Sequence, residues 1–246
     1  MTIPLINPPQ KYIPELLIPA YFDPTTHASL WTQIGQAAAS GYRVVAIANP
    51  NSGPGTAQQA QYTNAIANVK RNGGKAFGYV HTGYMTGTPT MAAIEADIDS
   101  WFNWYPAIDG IFLDEMAYDN VPAHVTGYQT LTAYIKAKNT NKNLRVTGNP
   151  GTGTIEMYVG SVDQIVIYEN TSAQFKNYAF SNFVQKYPKK GFAMLLYASP
   201  LASVQGILPR MLEENIDSFF AQSNSSGSAW TTLGTYFPQL LAMLKK

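Results

Sequence analysis

The sequence predicts an α/β protein built as a single-domain (β/α)8 TIM barrel, and three observations point to that fold class. Short apolar runs alternate with longer amphipathic stretches along the whole chain, which gives about eight strand–helix units. The apolar runs are nearly continuous, as parallel strands covered on both faces require. The chain has 246 residues with 46% hydrophobic content, and a barrel of this kind takes about 250 residues. We therefore expect residues 1–246 to form one domain.

The strands and helices follow from the two kinds of hydrophobic pattern, taken in chain order. Apolar runs predict strands at 16–22, 43–48, 75–80, 108–113, 144–147, 164–168, 191–197 and 216–221. Amphipathic stretches predict helices at 28–40, 58–72, 90–104, 125–138, 154–160, 173–187, 201–212 and 233–245. A doubly wound sheet is the alternative. Its first turn is usually rich in glycine, and the turn at residues 21–24 contains none.

Composition excludes several classes of function. The net charge is +1, without a basic patch, so nucleic acid is not an expected partner. No apolar run approaches the roughly 18 residues of a membrane span. Residues 1–11 are rich in proline and lack the regions of a signal peptide. We therefore expect no membrane span, and we expect the chain to act as a monomer.

Metal and cofactor chemistry has little support in the sequence. The chain contains no cysteine, which excludes disulfides, thiolate catalysis and cysteine-ligated metals. The histidines occur singly, as His27, His81 and His124, without the spacing of zinc ligands. Neither a Gly-x-Ser-x-Gly elbow nor a phosphate-binding P-loop occurs. We therefore expect no metal site, and nothing in the sequence demands a cofactor.

The acidic residues are informative because barrel enzymes carry their chemistry at the C-terminal ends of the strands. Of the 15 acidic residues, five lie at or just beyond the end of a predicted strand: Asp23, Asp114, Glu115, Asp119 and Glu169. The others begin strands or lie on or beside helical stretches. These five are the candidates for a site at the barrel mouth.

Two adjacent carboxylates at the end of a buried strand, Asp114 and Glu115, are costly to place. Their charges repel, and partial burial should drive their pKa values apart. Glu169 ends the sixth predicted strand, and strands four and six flank strand five. Hydrolysis of a glycosidic bond needs one carboxylic acid and a second carboxylate, and these residues can provide both. The alternative is that these acids cap the loops and helices that follow them.

Aromatic and polar side chains gather at the same strand ends and suit a carbohydrate ligand. Their rings can stack on sugar faces and their amides can bind hydroxyl and acetamido groups, although a single tyrosine is more often a half-buried core residue. The candidate substrate-binding residues are Tyr21, Asp23, Asn49, Asn51, Tyr79, His81, Tyr84, Tyr118, Asn149, Tyr168 and Tyr197. Trp230, in the last loop, can also reach the mouth.

Several motifs occur together in a recognisable order. They are the stretches at residues 19–24, 49–55, 78–84, 109–115, 148–152 and 168–169, of which Asn-Pro-Asn-Ser-Gly-Pro-Gly and Asp-Gly-Ile-Phe-Leu-Asp-Glu are the most specific. On these residues the chain resembles the spherulin-4 family, glycoside hydrolase family 135. The likeness covers roughly strands one to six, and the C-terminal third matches only in general layout.

The resemblance implies a barrel hydrolase that cuts internal α-1,4 linkages of N-acetylgalactosamine in galactosaminogalactan-like polysaccharides. It implies that Asp114, Glu115 and Glu169 form the catalytic set. It also implies an extracellular or cell-surface setting, although this chain shows no leader. We assign Asp114 as nucleophile or transition-state stabiliser, Glu169 as general acid/base and Glu115 as the residue that orients the pair. Exchange of the Asp114 and Glu115 roles, and either stereochemical outcome, remain open.

Three alternative functions remain. A hydrolase of deacetylated polygalactosamine is one, because related barrels cleave other galactosamine polymers. A non-catalytic glycan-binding coat or cell-surface protein is another, but it gains little from crowded carboxylates. A sugar-phosphate isomerase or aldolase would need a lysine or a phosphate loop at the mouth, and the strand ends carry no lysine.

Overall fold

The computed structural model describes residues 12–245, in which eight parallel strands form a closed barrel surrounded by helices. The strands are β1 Glu15–Ala20, β2 Val44–Ala48, β3 Lys75–His81, β4 Gly110–Asp114, β5 Arg145–Asn149, β6 Gln164–Thr171, β7 Phe192–Tyr197 and β8 Ser218–Ala221. Each pairs with the next in chain order, and β8 pairs with β1 to close the ring. The predicted barrel is confirmed.

Seven α-helices cover the outside of the barrel in the described part of the chain. They are α1 Ala28–Ala39, α2 Ala60–Arg71, α3 Met91–Trp104, α4 Pro122–Ala137, α5 Ser172–Phe175, α6 Leu201–Glu213 and α7 Phe237–Lys245. The buried strands explain the nearly continuous apolar runs, since both of their faces are covered. None of the helices between residues 12 and 245 combines the length and apolar character needed to cross a membrane.

Three predicted helices differ from the structure. The helix predicted at 173–187 is wrong: α5 has only four residues, and a separate 3-10 turn follows at Asn182–Lys186. The helix ends early because the Arg210 guanidinium donates to the carbonyl oxygens of Phe175, Lys176 and Tyr178. The helix predicted at 154–160 is a single 3-10 turn, and the one predicted at 233–245 begins only at Phe237, after Gly234 in the left-handed region (φ 72°).

A network of ion pairs closes the N-terminal end of the barrel. The buried carboxylate of Glu15 accepts hydrogen bonds from Arg145 at 2.7 Å and from the Ser218 hydroxyl at 3.0 Å. Asp217 accepts two hydrogen bonds from Arg43, at 3.0 and 2.9 Å. Each buried charge therefore has a partner of opposite sign, which is the condition for burying it at all.

Gly110, the first residue of β4, tests how tightly the strands pack. A Cβ at this position would lie 1.9 Å from the carbonyl oxygen of Arg145 on β5 and 3.0 Å from the Phe77 ring. We expect Gly110→Ala to lower the free energy of unfolding by about 1–3 kcal/mol or more, because backbone must move to admit a methyl group. Urea unfolding measures the change.

Gly206 provides the matched control for this substitution. It lies in α6 with open space around it, and alanine is favoured over glycine inside a helix by about 0.5–1 kcal/mol. We expect Gly206→Ala to leave stability unchanged or to raise it. Equal stability of the two variants would contradict the packing argument.

Candidate active site

Three neighbouring strands bring two carboxylates and one amide together at the C-terminal end of the barrel. Asp114 ends β4 and pairs in register with Asn149, which ends β5; Glu169 lies in β6. The Asn149 side-chain nitrogen donates to Asp114 Oδ1 at 2.8 Å and to Glu169 Oε2 at 2.7 Å. The two carboxylate oxygens are therefore at most the sum of these distances, 5.5 Å, apart. An amide nitrogen carries two hydrogens, so Asn149 satisfies both acceptors at once.

Asp114 is held in a buried, hydrogen-bonded position. The Tyr79 hydroxyl, buried in the barrel, donates to Asp114 Oδ2 at 2.7 Å. Burial raises the pKa of the Asp114 carboxyl, the hydrogen bonds from Tyr79 and Asn149 oppose the rise, and the nearby charge of Glu115 adds to it. The carboxylate is thus fixed in orientation and poorly solvated, and a carboxyl group with a perturbed pKa in a cleft is a candidate functional residue.

Glu169 has a similar environment but a different partner. Trp230, in the loop after β8, donates its indole N–H to Glu169 Oε1 at 3.1 Å. Burial raises the pKa of Glu169, and the charge of Asp114 raises it further, whereas the hydrogen bonds from Asn149 and Trp230 lower it. Glu169 therefore holds a proton to higher pH than an ordinary glutamic acid.

A strained backbone position lets Glu115 reach the same mouth as its neighbour Asp114. Glu115 has φ 50°, a left-handed conformation that costs a non-glycine residue about 1–3 kcal/mol. The Thr82 hydroxyl stabilises this turn, since it lies 2.8 Å from the carbonyl oxygens of both Asp114 and Glu115. The Glu115 carboxylate is half-exposed and lies 2.8 Å from the His81 imidazole.

These side chains line a cleft of about 340 Å³. The lining residues are Tyr21, Tyr84, Asp114, Glu115, Asn149, Gly151, Glu169, Leu195, Tyr197 and Trp230. Carboxyl groups are thus surrounded by aromatic rings and a few polar atoms, and the cleft is large enough for a single monosaccharide. Such a mixture is typical of sites that bind neutral polar ligands.

A hollow of about 420 Å³ at the opposite end of the barrel has different chemistry. Its carboxylates each hold a cation, Asp163 being paired with Lys136 as Glu15 and Asp217 are with their arginines. Paired charges at that end of a barrel serve stability, because the chemistry of barrel enzymes takes place at the C-terminal end. The cleft at the C-terminal end is therefore the candidate active site.

The structure brings together most of the residues that the sequence singled out. Seven of them line the cleft: Tyr21, Tyr84, Asp114, Glu115, Asn149, Glu169 and Tyr197. Tyr79 and His81 contact the carboxylates of Asp114 and Glu115. Tyr118, exposed at the rim, packs edge-on against Tyr84 with ring centroids 6.2 Å apart.

The remaining four candidate binding residues do not line the cleft, and three of them have a structural contact instead. Asp23 Oδ1 accepts from the backbone N–H of Thr25 at 2.7 Å and so caps a turn. Asn49 Oδ1 accepts from the Gly53 N–H at 3.0 Å, which shapes the loop that also contains the exposed Asn51.

Tyr168 is the fourth. Its ring packs outside the barrel against Phe175, Tyr178 and Phe180, and it is 3% exposed. The register of β6 against β7 shifts between Val166 and Tyr168, and Glu169 rather than Tyr168 lines the cleft. Tyr168 therefore does not line this cleft, and its part in substrate binding stays a prediction.

Sequence reasoning missed the residues that support the site from behind. Thr82 and Tyr128 form one example: their hydroxyls lie 3.0 Å apart, and Tyr128 accepts from the Ala117 N–H at 2.9 Å. Both side chains are buried, and the pattern around them is that of ordinary core residues. The one available signal was the position of Thr82 directly after a strand end.

Trp230→Phe tests the environment of Glu169 without removing a carboxylate. The indole N–H favours the charged form of Glu169, so its loss should raise the pKa of Glu169 further. If the protonated form of Glu169 is the active one, the alkaline limb of the kcat–pH profile should move to higher pH. An unchanged or downward-shifted limb in a folded variant would contradict this role for the indole.

Comparison with known proteins identifies the family of this barrel. The model of the spherulation-specific family 4, Spherulin4, matches residues 15–244. The chain belongs to the spherulin-4 family. Spherulin-4 of Physarum polycephalum is 30% identical over 207 residues, which cover 80% of this chain and 59% of the relative. The spherulin-4 family resemblance drawn from the motifs is confirmed, and this chain spans 59% of the length of that relative.

Solved structures share the barrel of this spherulin-4 family member. The crystal structure of Aspergillus clavatus Sph3 in complex with GalNAc matches with a TM-score of 0.83 and 19% identity, over 96% of this chain and 98% of that one. The spore cortex-lytic enzyme SleL of Bacillus megaterium matches with a TM-score of 0.61 and 10% identity, over 97% and 75%. Dispersin B matches with a TM-score of 0.55 and 9% identity, over 96% and 98%. At these identities the likeness establishes the fold.

Proposed function

We propose that this spherulin-4 family protein is a glycoside hydrolase that cleaves internal α-1,4 bonds of a polysaccharide containing N-acetylgalactosamine, similar to galactosaminogalactan. The observation that carries the proposal is the pair of buried carboxyl groups, Asp114 and Glu169, joined through one amide nitrogen at 2.8 and 2.7 Å. Retaining glycosidases place two carboxyl groups about 5–5.5 Å apart, against about 6.5–9.5 Å in inverting ones. Because Asn149 bonds to both Asp114 Oδ1 and Glu169 Oε2, these two oxygens are held close together, which favours the retaining mechanism.

Asp114 has the properties of the nucleophile in such a reaction. Its oxygens are oriented by Tyr79 and Asn149, so the carboxylate needs no rearrangement before attack. In a double displacement it bonds to the anomeric carbon as the glycosidic oxygen leaves, giving a covalent glycosyl-enzyme. Water then cleaves that bond and releases the carboxylate.

Glu169 has the properties of the acid that becomes the base. Burial and the charge of Asp114 raise the pKa of Glu169, which favours the protonated form that a general acid needs. It gives this proton to the leaving oxygen. Once Asp114 is esterified its charge is gone, so one cause of the raised pKa disappears and Glu169 can take a proton from water.

The substrate class is supported by the lining of the cleft and by one comparison. Aromatic side chains of Tyr21, Tyr84, Tyr197 and Trp230 surround the carboxyl pair, and aromatic faces suit the apolar faces of sugar rings. The similar barrel of Sph3 was solved in complex with GalNAc. An N-acetylgalactosamine unit in the cleft is consistent with both.

A reducing-end assay with product mass spectrometry on purified galactosaminogalactan tests the proposal, with Glu169→Gln beside the wild type. Oligomers of N-acetylhexosamine made only by the wild type are the expected result. Saturable binding of polymer without new reducing ends would overturn the hydrolase and favour a glycan-binding protein. Cleavage restricted to the deacetylated polymer would move the substrate to polygalactosamine.

A further inference from the structure

A second, smaller cavity opens next to the cleft, on the other side of Glu169. Its volume is about 210 Å³, and it shares Gly151 and Glu169 with the cleft. Its other lining residues are Thr152, Gly153, Tyr168, Asn170, Gln174, Asn177 and Tyr178. Glu169 therefore stands at the boundary between two adjoining cavities at the barrel mouth.

This cavity exists because the chain departs from a regular barrel at this position. Helix α5 ends after four residues, and the segment that follows turns back with Tyr178 packed on Tyr168, ring centroids 4.9 Å apart. The loop after β5 forms the facing wall. It approaches closely at Gly153, where a Cβ would lie 2.3 Å from the Tyr178 hydroxyl oxygen. A full-length helix after β6 would place different residues here.

Several polar side chains of this cavity have donors or acceptors that are free to bind a ligand. Within residues 12–245, the side chains of Gln174 and Asn177 make no hydrogen bond to protein, and both residues are exposed. Asn170 Oδ1 accepts from the Thr171 N–H at 2.8 Å and the Tyr197 hydroxyl at 3.3 Å, which orients its amide and leaves the NH₂ group as a donor. Three amides thus face one small cavity.

The charge of the residues that line the cavity indicates whether it suits a cationic or a neutral sugar unit. Glu169 is the one ionisable acid or base among its lining residues apart from the tyrosines. A sugar unit with a free amine is a cation and would need a carboxylate partner. Amides instead pair with hydroxyl groups and with the C=O and N–H of an acetamido group, because each amide has both donors and an acceptor.

We propose that this cavity, formed by Asn170, Gln174, Asn177 and Tyr178, is the subsite for the sugar unit on the leaving side of the cleaved bond, and that it selects a neutral N-acetylated hexosamine. The inference rests on the proposed hydrolase function. The general acid must touch the oxygen that joins the attacked unit to the leaving unit. Glu169 borders both cavities, and Asp114 lines only the larger one, so the attacked unit lies in the cleft and the leaving unit lies beside Asn177.

The first arm of the test removes two of the amides. Gln174→Ala/Asn177→Ala should lower kcat/KM on the N-acetylated polymer about 5- to 150-fold, since each of the two lost hydrogen bonds is worth about 0.5–1.5 kcal/mol. Cleavage of an aryl N-acetylgalactosaminide should change little, because its leaving group is not a sugar. Gln36→Ala/Asn64→Ala, which removes two exposed amides from α1 and α2, is the matched control and should retain wild-type activity on both.

The second arm reads the chemistry of the leaving unit directly. Cleavage of a partially deacetylated polymer turns each leaving unit into the new non-reducing end of a product, so sequencing products by mass spectrometry identifies it. Wild-type ends should be enriched in N-acetylated units relative to the polymer. Asn177→Asp places a carboxylate in the cavity with almost no change of shape, and should shift the ends toward free-amine units at mildly acidic pH.

The outcomes separate this inference from the function on which it rests. If the wild type cleaves polymer but the double variant cleaves it as well as the control does, the subsite is wrong and the hydrolase stands. The same holds if product ends mirror the composition of the polymer in both wild type and Asn177→Asp. If the wild type cleaves no polymer, the proposed function fails and the subsite fails with it.

Discussion

Glu169→Gln is expected to slow polymer cleavage about 10²–10⁴-fold while leaving the fold intact, because a positioned general acid contributes about that much to a rate. Glutamine keeps the shape of the side chain, and its one oxygen can accept from either Asn149 or Trp230 but not from both, since its NH₂ group is a donor. It cannot give a proton to the leaving oxygen. An aryl substrate with a good leaving group needs little help from an acid. The rate at which it forms the glycosyl-enzyme should therefore fall much less than the rate for the polymer.

The stereochemistry of azide products separates the roles of the two carboxyl groups. In a double displacement, azide added to Glu169→Gln attacks the glycosyl-enzyme and gives an α-glycosyl azide. With Asp114→Ala, azide fills the space of the missing carboxylate and attacks the substrate directly, giving the β-anomer. Nuclear magnetic resonance of the products distinguishes them. Exchange of the two results would reverse the assignment of Asp114 and Glu169.

Glu213→Gln is the control for the chemical change itself. Glu213 is exposed at the end of α6 and is not among the residues that line the cleft. It should retain full activity. If Glu169→Gln also retained full activity on polymer, Glu169 would not be the general acid.

Asp114→Asn is expected to abolish activity, by more than about 10⁴-fold, and at the same time to stabilise the protein. Asparagine is nearly isosteric and can still accept a hydrogen bond from Asn149, while the Tyr79 hydroxyl can turn to accept one from the new amide. It has no charge to bury. The loss of activity follows because an amide does not form the covalent intermediate.

The stability gain of Asp114→Asn has a defined pH dependence. Burial raises the pKa of folded Asp114 above its usual 3.8, so the folded state holds the proton to higher pH than the unfolded chain does. The cost of the buried charge is absent at pH values below the usual pKa of 3.8. It grows as the pH rises from there through the raised pKa of the folded state, and it stays constant above that pKa. The variant should therefore have a higher Tm than the wild type at neutral pH and an equal Tm in acid.

Thermal unfolding across this pH range measures that difference. For a chain of this size, each kcal/mol of stability shifts Tm by about 2–4 °C. A variant less stable than the wild type at neutral pH would contradict the assignment of a buried, charged Asp114. Active sites commonly contain groups that lower the stability of the folded protein because function requires them.

Most of the strands were predictable from sequence because they are runs of buried apolar residues that no helix pattern matches, although β5, Arg145–Asn149, is mostly polar. The segment after β6 was not. Residues 173–187 read as an amphipathic helix, yet Arg210, on α6, takes up three of its carbonyl oxygens, and Tyr178 and Phe180 pack onto Tyr168. Such contacts come from residues distant in sequence, and the local hydrophobic periodicity from which a helix is predicted contains no information about them.

The candidate site was predictable in its acids and less so in its supports. Asp114, Glu115 and Glu169 were visible because charged residues at the ends of buried strands are rare without a reason. The Asn149 bridge required knowing that its two hydrogens point at different strands. The left-handed turn at Glu115 had no signature, since glycine is the usual residue at such a position.

The contact between Trp230 and Glu169 also ties the site to the seam of the barrel. The Tyr21 N–H, just after β1, donates to the Trp230 carbonyl oxygen at 3.1 Å, so the loop after β8 contacts the chain where β1 ends. Those strands are joined in register over only two residue pairs, beginning at Glu15 and Ser218. During synthesis the acids of β4 and β6 emerge long before this segment does. The Glu169 environment is therefore complete only when the ring has closed, and a nascent or opened chain lacks the hydrogen bond from Trp230 to this carboxylate.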